Sequence, residues 1–222
     1  MATELFTAIK AGDATAVERL LDRDRALVDA RDEKGLSPIL TALYHGKKDI
    51  ATAILRRTPE LSVFEAAAAG DAARVREIVG RDRAQANGVA PDGFSPLGLA
   101  AFFKRGDVVR YLLEAGADPR PASRQGGFTP LHSAVATDAG TVDVEIVRML
   151  LDKGADPNAK SQSGSTALHT VAFTGDRASL DLLLKHGGDP TIKNNDGKTP
   201  VEIARERGNQ EVADLLVTRA RA

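Results

Sequence analysis

The 222-residue chain contains no cysteine and no tryptophan, and its seven Phe and two Tyr make only nine aromatic residues. Without cysteine there can be no disulfide bond, no thiolate metal site and no cysteine nucleophile. The scarcity of aromatic side chains disfavours one deep globular core. A core of Ala, Leu and Val instead suits helices that pack closely side by side.

The chain also lacks an excess of either charge and any long apolar run. Thirty basic residues balance thirty-one acidic ones, whereas nucleic-acid binding needs a dominant basic face. No apolar stretch approaches the roughly 18–20 residues of a membrane span. The first residues lack the basic and then apolar pattern of a signal peptide. We therefore expect a cytoplasmic protein that binds neither nucleic acid nor membrane.

The strongest positive signal is an internal repeat with three markers. A Gly precedes a Ser/Thr-Pro-like step, as in Gly127-Phe128-Thr129-Pro130, and a second Gly follows the first helix, at Gly46, Gly175 and Gly208. An aliphatic pair comes next, and successive pairs are separated by 34, 24, 34, 38, 33 and 32 residues. The pairs are Leu20-Leu21, Ile54-Leu55, Ile78-Val79, Leu112-Leu113, Leu150-Leu151, Leu183-Leu184 and Leu215-Leu216.

Spacings near 33 are typical of the ankyrin unit, a turn followed by two helices. Thr129-Pro130-Leu131-His132, with Gly154-Ala155-Asp156 after it, resembles that unit most closely, and Thr166-Ala167-Leu168-His169 resembles it nearly as well. The whole chain is thus similar to the ankyrin-repeat family. The resemblance implies an all-α solenoid of stacked helix pairs with short β-hairpin loops. Elementary chemistry agrees, since Ser or Thr before Pro starts a helix and Gly ends one.

We expect seven units in a single domain, residues 1–222, with the first and last units as caps. The approximate ranges are 1–31, 32–61, 62–89, 90–123, 124–160, 161–193 and 194–222. The 24-residue spacing leaves no room for a hairpin in the third unit, so the row of hairpins should have a gap there. Ser62 and Glu65 form a capping-box pattern at that point. About four extra residues around Thr137–Val142 should lengthen the loop between the helices of the fifth unit.

A duplication is visible in the first half of the chain. Residues 5–38 resemble residues 63–96 at an offset of 58, for example at Gly12 and Gly70. We infer that a block of two repeats was copied.

Motifs that could carry catalysis are incomplete. Gly197-Lys198-Thr199 resembles the end of a phosphate-binding loop, but Ile192 stands where that loop needs its first Gly. The segment Gly93-Phe94-Ser95-Pro96-Leu97 starts like a nucleophile elbow and lacks the closing Gly. No two His have metal-ligand spacing beside a carboxylate. We therefore expect no catalytic residue, no cofactor and no metal.

The four histidines have separate expected roles. Family resemblance implies that His132 and His169 hydrogen-bond between neighbouring hairpins and helices. His186 lies at the end of a second helix, where the helix dipole favours positive charge. His45 is the histidine that we place on a partner-facing surface.

In ankyrin repeats, partners are usually held in a concave groove lined by hairpin tips and the ends of first helices. The resemblance implies that the groove positions are Leu36, Tyr44, His45, Phe94, Phe102, Phe103, Phe128 and Phe173. Polar neighbours at the rim would be Glu33, Lys34, Lys104, Lys160, Gln162, Asn195 and Lys198. Grouped exposed aromatic residues commonly mark interaction surfaces. Alternatively, Phe94 and Phe128 pack hairpin against hairpin, and Phe102 fills space behind the shortened unit.

The expected function is binding of a partner protein or peptide by a monomeric scaffold, adaptor or regulator. A second hypothesis is a self-associating structural protein, with Tyr44 and Phe102-Phe103 buried in a homodimer. A third is a regulatory subunit of an enzyme. The chain itself is not expected to be an enzyme, because the repeats account for nearly every residue.

Overall fold

A computed structural model describes residues 1–138 and 141–220 and contains fourteen α-helices in that part of the chain. They are α1 Ala2–Ala11, α2 Ala14–Arg23, α3 Pro38–Tyr44, α4 Lys48–Leu55, α5 Val63–Ala69, α6 Ala72–Arg81, α7 Pro96–Phe102, α8 Gly106–Glu114, α9 Pro130–Val135, α10 Val144–Asp152, α11 Ala167–Thr174, α12 Arg177–Lys185, α13 Pro200–Glu206 and α14 Gln210–Ala220. Short 3-10 helices at Arg25–Asp29 and Arg83–Asn87 follow α2 and α6. The odd-numbered helices contact one another in sequence from α1 to α13, and each packs on its even-numbered partner. The predicted all-α solenoid is confirmed.

The first helices begin where the sequence predicts. Ser37, Ser95 and Thr129 each accept a hydrogen bond from the amide three residues further on, and a Pro follows each of them. The hydroxyl pairs an amide that has no partner inside the helix. In α5 the predicted capping box is present, with the Ser62 amide 2.9 Å from Glu65 Oε2 and the Glu65 amide 3.3 Å from Ser62 Oγ.

The core runs lengthwise through the stack. Each aliphatic pair of the second helices has at least one buried member, and Leu112, Leu150 and Leu183 are completely buried against neighbouring units. Burying each such side chain stabilises the fold by about 1.5–3 kcal/mol. The first helices are rich in Ala, so their neighbours can approach closely. Each unit therefore completes the core of the next.

The connections that lead into first helices are hairpin-shaped turns. In the described residues they contain no strand; each of the loops 32–36, 90–94, 123–128, 161–165 and 194–198 is closed by one backbone hydrogen bond between its end residues. Neighbouring loops are also joined, since the Gln162 amide donates to Gly126 O and the Asn195 amide donates to Ser163 O, both at 2.9 Å. The loops of the last three predicted units thus form a connected row.

The third unit has no such loop, as its short spacing predicts, but the expected gap in the row is closed by the loops on either side. A Cβ placed on Gly35 would lie 2.9 Å from Cβ of Pro91, so the loop before α3 packs directly on the loop before α7. The Tyr44 hydroxyl also reaches this loop and donates to Asp92 Oδ2 at 2.8 Å. The intervening helix α5 is thin because four of its seven residues are Ala. Its small side chains allow α3 and the α7 loop to meet across it.

Lys104 has an unusual backbone conformation. Gly46, Gly175 and Gly208, which follow the first helices of their units, adopt positive φ values of 66°, 77° and 76°. In the fourth unit Lys104 stands in this position with φ 59°. A residue with a Cβ is disfavoured in this left-handed conformation by roughly 1–2 kcal/mol. A compensating interaction is therefore expected.

The Lys104 side chain supplies that compensation by capping α9. Its ammonium donates to the carbonyl oxygens of Ser133, Ala134 and Ala136 at 3.3, 2.8 and 2.7 Å. Burial lowers the pKa of Lys104 to about 8, so the group is still charged at pH 7. A cation at a helix C-terminus pairs carbonyls that the helix leaves without partners. The predicted insert Thr137–Val142 begins just beyond this cap; its Ala139 and Gly140 lie outside the described residues.

Replacing Lys104 with Met should lower the free energy of unfolding by about 1.5–3 kcal/mol, because buried carbonyls lose a charged donor. Lys104→Gly loses the same bonds but relieves the backbone strain, and should be more stable than Lys104→Ala by about 1 kcal/mol. Urea denaturation of the three variants measures both effects. Equal stability of the Gly and Ala variants would contradict the strain argument.

The first and third units differ in burial at two positions related by the duplication offset. At the duplication offset, Lys10 corresponds to Ala68 and Thr7 corresponds to Glu65. Ala68 and Glu65 are buried in the stack, whereas Lys10 and Thr7 are exposed. The first copy thus carries solvated polar side chains at positions where the second copy packs against α3 and its neighbours.

Candidate partner-binding face

The loops and the C-terminal ends of the first helices lie on one surface, which we call the inner face. Two contacts place them together. Tyr44, at the end of α3, bonds to Asp92 in a loop, and Lys198, in the last loop, pairs with Glu206 at the end of α13 at 2.7 Å. The predicted groove positions belong to these two kinds of segment.

Three of the predicted groove aromatics form a cluster. The centroid of the Tyr44 ring lies 5.8 Å from that of Phe102 and 5.2 Å from that of Phe103. The two Phe rings meet edge to face, with their centroids 5.0 Å apart. Tyr44 and Phe102 are half-buried. Phe103 is only 7% exposed, so the expectation that it offers surface to a partner is corrected. Its ring packs in the core against the other two rings. Edge-to-face pairs of this kind are favourable beyond the area that they bury.

Leu36 and Phe94 belong to the same packing arrangement. Both are half-buried and contact the buried cluster that contains Leu40, Leu99 and Phe103. This placement agrees with the alternative that Phe94 packs between hairpins. Both side chains keep part of their surface on the inner face.

The Tyr44 hydroxyl is buried beside the carboxylate of Asp92. Burial, together with the neighbouring Asp92 carboxylate, raises the pKa of Tyr44 far above its ordinary range. Asp92 itself is buried and accepts a second hydrogen bond from the Phe94 amide at 3.2 Å. The hydrogen bond between Tyr44 and Asp92 therefore connects the end of α3 to the loop 90–94.

The other two aromatic positions are open to solvent. Phe128 is 43% exposed and Phe173 is 48% exposed. The Phe128 ring lies over Gly126, where it fills the space that an added Cβ would need, and is edge-on to His132. The guanidinium carbon of Arg207 lies 3.7 Å from the centroid of the Phe173 ring, a cation–π contact. His45, the remaining predicted position, is also exposed.

His132 and His169 make the hydrogen bonds that the family resemblance implies. In each case Nε2 faces a carbonyl of the next loop, Ser165 O at 3.0 Å and Lys198 O at 3.1 Å, and must therefore be the donor. Nδ1 accepts from the amide of the preceding Thr129 or Thr166. Both rings are satisfied in the neutral state. Burial lowers the pKa of both histidines.

Acid should destabilise the protein through these two rings. Because their folded-state pKa values lie below the unfolded value of about 6.5, the unfolded chain takes up protons first as pH falls. The contribution of the two histidines to the free energy of unfolding should be level above about pH 7.5 and decrease as pH drops from about 6.5 towards 5. His132→Gln/His169→Gln should show a smaller decrease in denaturation series at pH 7.5, 6.5 and 5.5. His45 and His186 are present in the unchanged chain and in the variant, so they do not contribute to the difference between them. An equal pH dependence of the two proteins would contradict the role given to His132 and His169.

Among residues 1–138 and 141–220, no group of three or more His, Asp or Glu side chains is placed to hold a metal ion. His186, at the end of α12, lies 3.5 Å from Asp152 of the preceding unit, a contact between helices. Within the same described ranges, no helix has the length and apolarity to cross a membrane.

Some contributors to the inner face were missed by reasoning from the sequence. Arg207 is exposed and stacks on Phe173, and the Asn209 amide donates to Ala172 O and Phe173 O at 2.9 and 3.1 Å. Their position in the repeat indicates this placement, since both residues adjoin Gly208, which follows the first helix of the last unit. The sequence predicts only Asn195 and Lys198 of that unit at the groove.

The fold and the inner face define a helical-repeat solenoid in which loops and first helices share one surface. The chain matches the family described as Ankyrin repeats (3 copies) over residues 63–161 and 140–222, and it belongs to that family. Ankyrin repeats are generally protein–protein interaction modules and are typically non-catalytic.

One curated relative is the human protein named Neurogenic locus notch homolog protein 4. It is 56% identical to this chain over 50 residues, which are 22% of this chain and 2% of that protein. The chain therefore spans a very small share of that relative's length.

Proposed function

We propose that this chain is a non-catalytic scaffold, adaptor or regulator that holds a partner protein or peptide on its inner face. All seven predicted units act as one module in this proposal. The observation that carries it is the pair of large aromatic side chains, Phe128 and Phe173, which are nearly half exposed on that face. Exposed aromatic residues next to cations are favoured as binding anchors because they bury much area at low entropic cost.

The organisation of the face supports this function. The loops are linked by backbone bonds from Gly126 to Gln162 and from Ser163 to Asn195, and the buried His132 and His169 tie each loop to a helix. A surface that is already ordered loses little conformational entropy when a partner binds. Tyr44, Phe102, Leu36 and Phe94 extend the apolar area towards the N-terminal half.

The proposal is tested by the variant Phe128→Ser/Phe173→Ser. Because both side chains are exposed, the substitutions should change stability little. Affinity for a partner captured from cells should fall by at least tenfold, since two anchors are lost. The control is Lys153→Ser/Lys185→Ser, which replaces two exposed side chains at the ends of the second helices α10 and α12, away from the loops.

The captured partner is titrated with the unchanged chain, the double variant and the control variant, and the three affinities are compared. Unchanged affinity for the double variant, with unaltered circular dichroism, would refute the proposed face. Equal weakening by Lys153→Ser/Lys185→Ser would refute it as well.

A further inference from the structure

Three exposed cations line the loops of the C-terminal half. Arg124 lies within the loop 123–128, and Lys160 and Lys193 directly precede the loops 161–165 and 194–198. Lys160 and Lys193 occupy equivalent positions 33 residues apart in sequence. None of the three forms an ion pair with any residue of the described ranges.

These cations belong to one continuous row. The Lys160 ammonium donates to the Lys193 carbonyl oxygen at 3.3 Å, so its charge reaches into the next unit. The Gln162 side chain donates to Arg124 O at 3.2 Å and links the preceding loop to the same row. Like charges held on adjacent loops repel, and an anion bound between them would relieve that repulsion.

The row adjoins the exposed aromatic anchors. Phe128 closes the loop that contains Arg124, and Arg207 adds a further cation above the Phe173 ring. Lys198 and Glu206 neutralise each other at 2.7 Å. The surface formed by the six residues Arg124, Phe128, Lys160, Phe173, Lys193 and Arg207 therefore has both positive charge and apolar area, although the whole chain carries a net charge of −1.

Resting on the function proposed above, we propose that the occupant of this surface is an extended acidic peptide segment of a partner protein. Carboxylates would pair with Arg124, Lys160 and Lys193, and intervening aliphatic side chains would contact Phe128 and Phe173. Neighbouring helices pack about 8–10 Å apart. A peptide in the polyproline II conformation advances about 3.1 Å per residue with three residues per turn, so every third side chain faces the same side. An acidic residue at every third position would therefore meet one cation in each unit.

Nucleic acid is the less favoured polyanion. Its phosphates would need a longer basic track than four cations provide, and the charge balance of the chain opposes it. A peptide also uses both features of the surface, since its carboxylates and aliphatic side chains alternate. Charge complementarity of this kind gives specificity and a salt-dependent association rate.

The probe is a fluorescein-labelled 12-residue peptide made of four Glu-Leu-Ser triplets, titrated with the full chain by fluorescence anisotropy. We expect saturable binding that weakens as salt rises. Lys160→Glu/Lys193→Glu should weaken it at least tenfold. The matched control is Lys153→Glu/Lys185→Glu, which reverses two exposed charges at the ends of α10 and α12 and should change the affinity less than twofold.

A basic peptide and a nucleic-acid strand test whether the surface selects an acidic peptide. Equal binding of a Lys-Leu-Ser peptide, or of a 12-nucleotide thymidine strand, would overturn it, as would equal weakening by the control charge reversals. If the acidic peptide fails to bind while partner capture still depends on Phe128 and Phe173, the acidic occupant is refuted and the proposed function stands. If neither the peptide nor the captured partner responds to any of these substitutions, both proposals fail.

Discussion

Replacing Gly93 with Ala should be among the most destabilising single-methyl substitutions in this chain, lowering the free energy of unfolding by roughly 2–5 kcal/mol. Gly93 has φ 86°, which an L-residue reaches only at a cost. An added Cβ would also lie 2.5 Å from the backbone nitrogen of Arg124 in the next loop. Backbone cannot rotate away as a side chain can, so the two loops would have to separate.

Gly116→Ala is the matched control for this prediction. Gly116 has a similar φ of 91°, but its Cβ would meet nothing within 4 Å. Its substitution should cost only the backbone term of roughly 1–2 kcal/mol. Urea denaturation of both variants separates strain from loop contact. If the two variants are equally stable, the close packing of the loops is not a determinant of the fold.

Replacing Tyr44 with Ala should cost about 3–5 kcal/mol, in the range of a large aromatic truncation in a packed cluster. The substitution removes a ring that contacts both Phe102 and Phe103, and it leaves the buried Asp92 carboxylate without its hydroxyl donor. Tyr44→Phe keeps the ring and should cost about 1.5–3 kcal/mol through Asp92 alone. The difference between the variants measures the packing contribution.

A spectroscopic readout accompanies this pair of variants. Because burial and Asp92 raise the pKa of Tyr44 above its ordinary range, its phenol should stay protonated in alkaline solution until the protein unfolds. The absorbance change near 295 nm should therefore be reduced in the native protein and complete after denaturation. An absorbance change as large in the native protein as after denaturation would contradict the hydrogen bond between Tyr44 and Asp92.

The sequence predicted most of the fold because the repeat is encoded locally. Ser37 and Thr199 before Pro start α3 and α13, and Gly46 and Gly208 follow those helices, so such units carry their own boundaries. What the sequence did not predict depends on distant contacts. The closure between Gly35 and Pro91 needs the thin, Ala-rich α5 between them, and spacing along the chain does not reveal it.

The candidate site was less predictable for the same reason. Position in the repeat placed Phe103 and Phe173 in equivalent segments, yet the first is buried under Tyr44 and the second is exposed. The difference arises from the shortened third unit, which brings Tyr44 across onto α7. Lys104 occupies a glycine position, and only the side-chain hydrogen bonds to α9 explain its conformation.

Hydrogen–deuterium exchange of the chain, alone and saturated with a captured partner, tests the central claim most directly. If a partner lies on the inner face, protection should increase in peptides covering residues 123–128, 161–174 and 194–207. The second helices α10 and α12 should then exchange as they do in the free chain. Protection confined to those second helices, with the loops unchanged, would contradict binding at the inner face.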